Sequence, residues 1–297
     1  MTLYRRVRDI TVENPVLLVG LEGWIDGGFG GTNAFAAIRQ SIETETVVVF
    51  DGDVLLDYRA RRPTLHIESG VSTGITWPEI ELRAGTDARG NDVLLLVGPE
   101  PDTQWRAFTK AVCDIASAAG VRLAVGLGAF PAPVPHTRPV RLAATATTPE
   151  LAGQVGFVQG TIDVPAGIAS VINRGLHLAG IPAIGLWARV PMYVAGSAYP
   201  AASVALLDGL ERVAGIATNA SELRAAAETS LVKIAELIAQ SDEHAAMVAG
   251  LERQADAESE AASPAPFDPD SLPSGDEIAA ELERFLRQQR PGGDSSG

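Results

Sequence analysis

The sequence predicts an α/β protein: a three-layer α/β/α sandwich around a mixed, mainly parallel sheet, with a helical C-terminal extension. Two observations carry the prediction. Apolar runs of strand length recur at residues 16–19, 46–50 (after its leading Thr46), 93–97, 123–127 and 184–188, and near-continuously apolar strands are those covered on both faces. Segments with apolar residues at helical spacing lie between them, and such alternation builds sheets with helices on each side. Thirty glycines and 46% apolar residues in a chain of 297 suit tight strand–helix turns around a sizeable core.

Residues 16–38, VLLVGLEGWIDGGFGGTNAFAAI, open the fold. An apolar strand passes through a turn carrying Glu22, Trp24 and Asp26 into the Gly27-Gly28-Phe29-Gly30-Gly31 stretch. Thr32 is placed to cap the helix that follows, whose apolar residues are Phe35, Ile38 and Ile42. Residues 46–50 form the second buried strand, and 61–68 with 75–83 read as an alternating strand pair interrupted by Pro78. The strand at 93–97 precedes a helix reaching about residue 119, capped by Asp102 or Thr103. Residues 123–127 are strand and 128–139 a proline-rich loop holding His136 and Arg138. A helix over 165–179, a strand at 184–188 and a helix over 200–213 complete a core domain of residues 1–217. Asn219 with Glu222 resembles a capping box opening a long Ala/Glu-rich helix, the extension of 218–256. Residues 257–273 read as a flexible linker of Ala, Ser, Pro, Glu and Asp. Residues 274–290 form a tethered amphipathic helix with Ile278, Leu282, Phe285 and Leu286 on one face, and 291–297 a disordered tail.

A net charge of -14 opposes nonspecific binding to nucleic acid or anionic membrane, which needs clustered cations. No run approaches membrane length and the N-terminus lacks a signal-peptide pattern. A single cysteine, Cys113, fits a reducing compartment. A soluble cytoplasmic protein is expected.

The glycine stretch followed by Asp51 invites a dinucleotide-binding reading, but Asn33 stands where the third glycine of the fingerprint belongs, and Glu22 and Asp26 would repel a pyrophosphate. Glycines that let a helix approach a strand fit better. Residues 70–74 (GVSTG) match a nucleophile elbow in letters alone, because strand rather than helix follows; a hairpin turn is the better reading. Glu22, Asp26, Glu100 and His136 all fall past carboxyl ends of strands, where open α/β sheets bind ligands. With Trp24, Gly27, Gly28 and Arg138 they define a candidate ligand or partner crevice; acid–base work or metal binding and simple helix capping are both open to them. No catalytic residue, metal site or cofactor is assigned.

Residues 20–28 (GLEGWIDGG), 95–101 (LLVGPEP), 126–129 (GLGA), 134–139 (VPHTRP) and 190–193 (VPMY) together resemble the proteasome assembly chaperone 2 family, in its actinobacterial-type bacterial branch. The resemblance covers about residues 16–213. It implies a fold similar to purine nucleoside phosphorylases, a helical extension and self-association, with a trimer favoured by the fold. Eukaryotic members act as chaperones. Members that engage a proteasome ring use a hydrophobic–tyrosine–any-residue ending; this sequence closes Asp294-Ser295-Ser296-Gly297, so docking by that route is not carried over. The function expected is a non-catalytic oligomeric binding protein, assembly-chaperone-like, contacting itself and another cytoplasmic protein. The alternative is an enzyme or small-molecule binder using the crevice.

Overall fold

The computed structural model describes residues 3–23, 25–157 and 160–262. A short strand β1 (Tyr4–Arg6) precedes β2 (Val16–Glu22), whose first four residues are buried. A 3-10 turn over Gly27–Phe29 leads into α1 (Gly30–Ser41). β3 (Thr44–Phe50), a one-turn α2 (Gly52–Leu55), β4 (Thr64–Glu68), β5 (Val71–Thr76), β6 (Glu81–Thr86) and β7 (Asp92–Pro99) follow. Next come α3 (Trp105–Ala118), β8 (Leu123–Ala132), β9 (Leu142–Ala146), α4 (Pro149–Gly153) and α5 (Ile168–Leu178). β10 (Ala183–Pro191), α6 (Pro200–Ala214), α7 (Ser221–Ile238) and α8 (Asp242–Ala262) complete the described chain.

Eight strands make one sheet in the order β1-β3-β6-β7-β2-β8-β10-β9, and β4 and β5 form a separate hairpin. β7, β2, β8 and β10 are mutually parallel at the centre; antiparallel pairs finish both flanks. Successive side chains of a strand point to opposite faces, and β2 obeys this strictly. Val16 and Leu18 join Ile38 of α1, Leu206 of α6 and Ile234 of α7. Leu17 and Val19 join Phe108 of α3 and Ile172 of α5 on the other side. The three layers follow from that alternation. The chain divides into two compact units, residues 1–253 and 254–297; the described part of the second is the end of α8.

Several elements differ from the sequence pattern, each for a local reason. The loop expected from Gly128 is strand as far as Ala132, because β10 pairs with β8 along its whole length while β2 pairs with it only to Gly126. A one-sided ladder tolerates Pro131. Pro78 divides the stretch 75–83: Ile75 and Thr76 close the hairpin with β4, whereas residues 81–83 enter the main sheet in β6. Ser72 lies within β5, and the hairpin turn is made by Ser69 and Gly70, both at positive φ.

Neither Asp102 nor Thr103 caps α3. Asp102 accepts from Asp57 N and Arg61 Nε, and Thr103 Oγ1 donates to Val54 O. α5 begins after Gly167 rather than at Pro165. The long helix expected from residue 219 breaks at residues 239–241, where Ser241 Oγ accepts from His244 N and restarts it as α8. Asn219 Oδ1 accepts from Ser221 N and Oγ in place of a box with Glu222. The expected linker start at 257 falls inside α8, whose Ala/Glu-rich end has high helix propensity.

Candidate functional site

The parallel strands deliver their carboxyl ends to one edge of the sheet, and the loops there enclose a crevice of about 320 Å³. Glu22, Asp26 and Glu100 line it, together with the first residues of α1 (Gly31, Thr32) and of α5 (Ile168 to Ser170). Two helices from opposite faces of the sheet therefore aim their N-termini at the same space. Each N-terminus carries unpaired N–H groups and the positive end of a dipole. A carboxylate meets each one. Asp26 Oδ1 and Oδ2 accept from Gly31 N (2.7 Å) and Thr32 N (2.9 Å). Glu100, itself buried, accepts from Ile168 N at 2.6 Å. Thr32, expected as the cap of α1, instead receives the cap from Asp26. Glu22 stands exposed at the end of β2, and its carbonyl accepts from Glu100 N at 2.6 Å.

The glycines of the β2–α1 turn serve close packing. A Cβ on Gly30 would stand 2.7 Å from that of Ala129, and one on Gly27 3.2 Å from the Phe130 backbone. Gly28 sits at φ 63°, with Tyr199 Cβ 2.7 Å from where its own Cβ would be; its N–H donates to Ala195 O and its carbonyl accepts from Tyr199 N. The ring of Phe35 covers Gly20 and that of Trp187 covers Gly128, giving the crevice aromatic walls. Ile25 and Phe29 at its mouth, and Met192 beyond β10, are large apolar side chains left exposed. Phe29 holds a left-handed φ of 54°.

His136 and Arg138, predicted at this crevice, are not among its lining residues. The extension of β8 to Ala132 carries them to a second cluster. His136 is buried; its backbone N–H donates to Tyr193 Oη, and its Nδ1 shares a second hydrogen bond with the same hydroxyl, both at 2.8 Å. Its Nε2 is buried without a partner among the described residues. Burial pushes the His136 pKa below its ordinary value, while Glu252 pulls the other way. Glu252 accepts from Thr137 Oγ1 and from Arg138 Nη1 (3.3 Å), tying this loop to α8. Trp24, Ile278, Leu282, Phe285 and Leu286 lie outside the described residues.

Sequence reasoning missed three features. Asp87, buried in the β6–β7 turn, accepts from Arg89 N, Asn91 N, Asn91 Nδ2 and Ala217 N, pinning the end of α6. Burial alone would raise its pKa; the Asn91 side chain and the three backbone donors outweigh that and hold it below the usual carboxylate value. An Asp two residues before Arg and four before Asn is the local Asx signal. The β4–β5 hairpin stands apart from the main sheet with Leu65, Ile67 and Ile75 exposed. At its base Tyr58 and Trp77 meet edge-to-face at 4.8 Å and border an open groove of about 610 Å³ with Asp51, Asp53, Glu79 and Arg5.

Among the described residues no group of three or more His, Cys, Asp or Glu is placed to hold a metal, and no helix is long and apolar enough to cross a membrane. A protein of unknown function from Corynebacterium glutamicum superposes with a TM-score of 0.81 at 28% identity, covering 88% of this chain and 99% of that one. A Mycobacterium tuberculosis protein of unknown function gives 0.78 at 33% identity, over 96% and 92% of the two chains. A proteasome-assembly chaperone homologue from the same bacterium gives 0.72 at 33% identity, over 78% and 99%. None of the curated proteins matches in sequence. The family model described as the PAC2 family matches residues 20–238, from the carboxyl end of β2 through the whole of α7. The chain belongs to the PAC2 family.

Proposed function

We propose that this protein is a non-catalytic, self-associating binding factor of the assembly-chaperone kind, working in the cytoplasm on another protein. One observation carries the reading. At the sheet edge where α/β enzymes hold substrates, Asp26 and Glu100 are engaged as helix caps, while Ile25, Phe29 and Met192 turn apolar surface to solvent. Capped N-termini are poor anion sites, and exposed apolar side chains around a polar rim suit protein contact. The left-handed backbone at Phe29 is a conformation that persists only where its surroundings hold it. Kinship with a proteasome-assembly chaperone homologue makes proteasome subunits the partner to test first.

Native mass spectrometry of the full chain, alone and mixed with the proteasome α and β subunits of its own organism, tests this. The expected result is a self-associated species that takes up subunits in fixed ratio, with uptake reduced by Phe29→Asp and Met192→Asp. A chain that neither self-associates nor holds a subunit would overturn it.

A second reading, a small molecule seated in the crevice, is favoured by a volume of about 320 Å³ and by the Phe35 and Trp187 walls. A metabolite that raises the unfolding temperature of the native chain, and fails to do so with Phe35→Ala, would establish it. No such metabolite would dismiss it.

A further inference from the structure

We infer that the β4–β5 hairpin is an arm by which two copies of this chain grip one another, each arm lying against the other's arm and the acidic groove at its base. The inference rests on the reading of a self-associating protein and names the surface responsible. Glu68 pairs with Val71 across Ser69 and Gly70, both at positive φ, the geometry of the two-residue turn that matches strand twist. Every residue of the two strands except Gly74 is exposed. In the register, Leu65 faces Ile75 and Ile67 faces Ser72, so Leu65, Ile67 and Ile75 share one face. An isolated two-stranded hairpin is marginal in water, and one with an uncovered aliphatic face more so. Among the described residues both strands keep a free edge as well.

Charge selects the occupant of that face. The chain carries a net charge of -14, yet Arg59, Arg61 and Arg62 gather where the chain enters the arm. Arg61 is paired with Asp102; Arg59 and Arg62 are exposed, with no ion pair to a described residue. Arg59 follows Tyr58, which borders the groove, and the groove itself sets Asp51, Asp53 and Glu79 against the single guanidinium of Arg5. The Tyr58 hydroxyl bordering it has its pKa raised by burial, by a hydrogen bond to Asp53 and by the charge of the other two carboxylates. Basic and acidic residues thus meet at Tyr58, where the chain passes from the groove into the arm. In a two-fold contact that lays the arginines of one copy on the groove of the other, each acidic part meets a basic one, which is the self-complementarity an isologous contact needs. The Tyr58–Trp77 contact fixes the arm at its root, so the patch is presented ready-made.

Sedimentation equilibrium on the full chain tests the arm, with circular dichroism confirming that every variant folds. Ile67→Asp with Ile75→Asp should weaken self-association about 100-fold by placing charge in the aliphatic contact. Two charge variants test the occupant: Arg59→Glu with Arg62→Glu makes the patch predominantly acidic, and Asp53→Arg with Glu79→Arg makes it predominantly basic. Each alone should fail to associate through the arm, and an equimolar mixture should associate again, because only the mixed pair sets acid against base on both sides. Association unchanged in these variants would overturn the arm contact while leaving self-association intact. A native chain that stays monomeric at every concentration tested would overturn both.

Discussion

Asp26 holds the first turn of α1 through two backbone N–H groups, so its removal acts on the fold before it acts on any ligand. Asp26→Ala should cost about 1–2 kcal/mol, read as a lower urea midpoint at unchanged slope, with Asp26→Asn milder. Asp87→Ala should cost about 3 kcal/mol, because three backbone donors lose a buried acceptor. His136 sets a pH signature. Its ordinary value is 6.5 and burial holds it lower in the folded chain, so the unfolded chain takes up a proton first as pH falls. The stability it contributes is therefore whole above pH 6.5 and declines as pH drops toward the lower folded value. His136→Phe should flatten the dependence of unfolding free energy on pH in that window. The acids at the strand ends were legible because their positions follow from apolar runs that end sharply, as at residues 16–19 and 93–97. The separation of His136 from them was not, since it depends on β8 continuing through two glycines and a proline mainly under the instruction of its partner β10, with one further bridge from Asp26 to Ala129.

At the scale of elements, the β2–α1 turn is clamped from both sides. Gly28 combines a positive φ with a neighbouring Cβ at 2.7 Å, so Gly28→Ala should lower stability by about 2 kcal/mol and blur the start of α1. Such a glycine cluster is readable as close packing, and the failed nucleotide spacing says which kind. The break between α7 and α8 was less readable: Ala, Glu and Leu continue across it, and only Ser241 marks the new start. The arm could be seen as paired strands but not as a free-standing pair, because alternation reports that one face is apolar and not what covers it.

In the whole molecule, stability should be graded from centre to periphery. Amide hydrogen exchange should be slowest in β2, β7 and β8, which are buried and paired on both sides, and fastest in β4 and β5 when copies are held apart. The layered architecture was foreseeable from strand–helix rhythm; the order of strands was not, because rhythm carries no information on which distant runs become neighbours. That order has a consequence for synthesis. Val16 leaves the ribosome long before its sheet partners, Val93 and Leu123. Until both emerge, a greasy nascent segment must wait unpaired, so translation should be the stage at which this protein is itself most in need of a holdase.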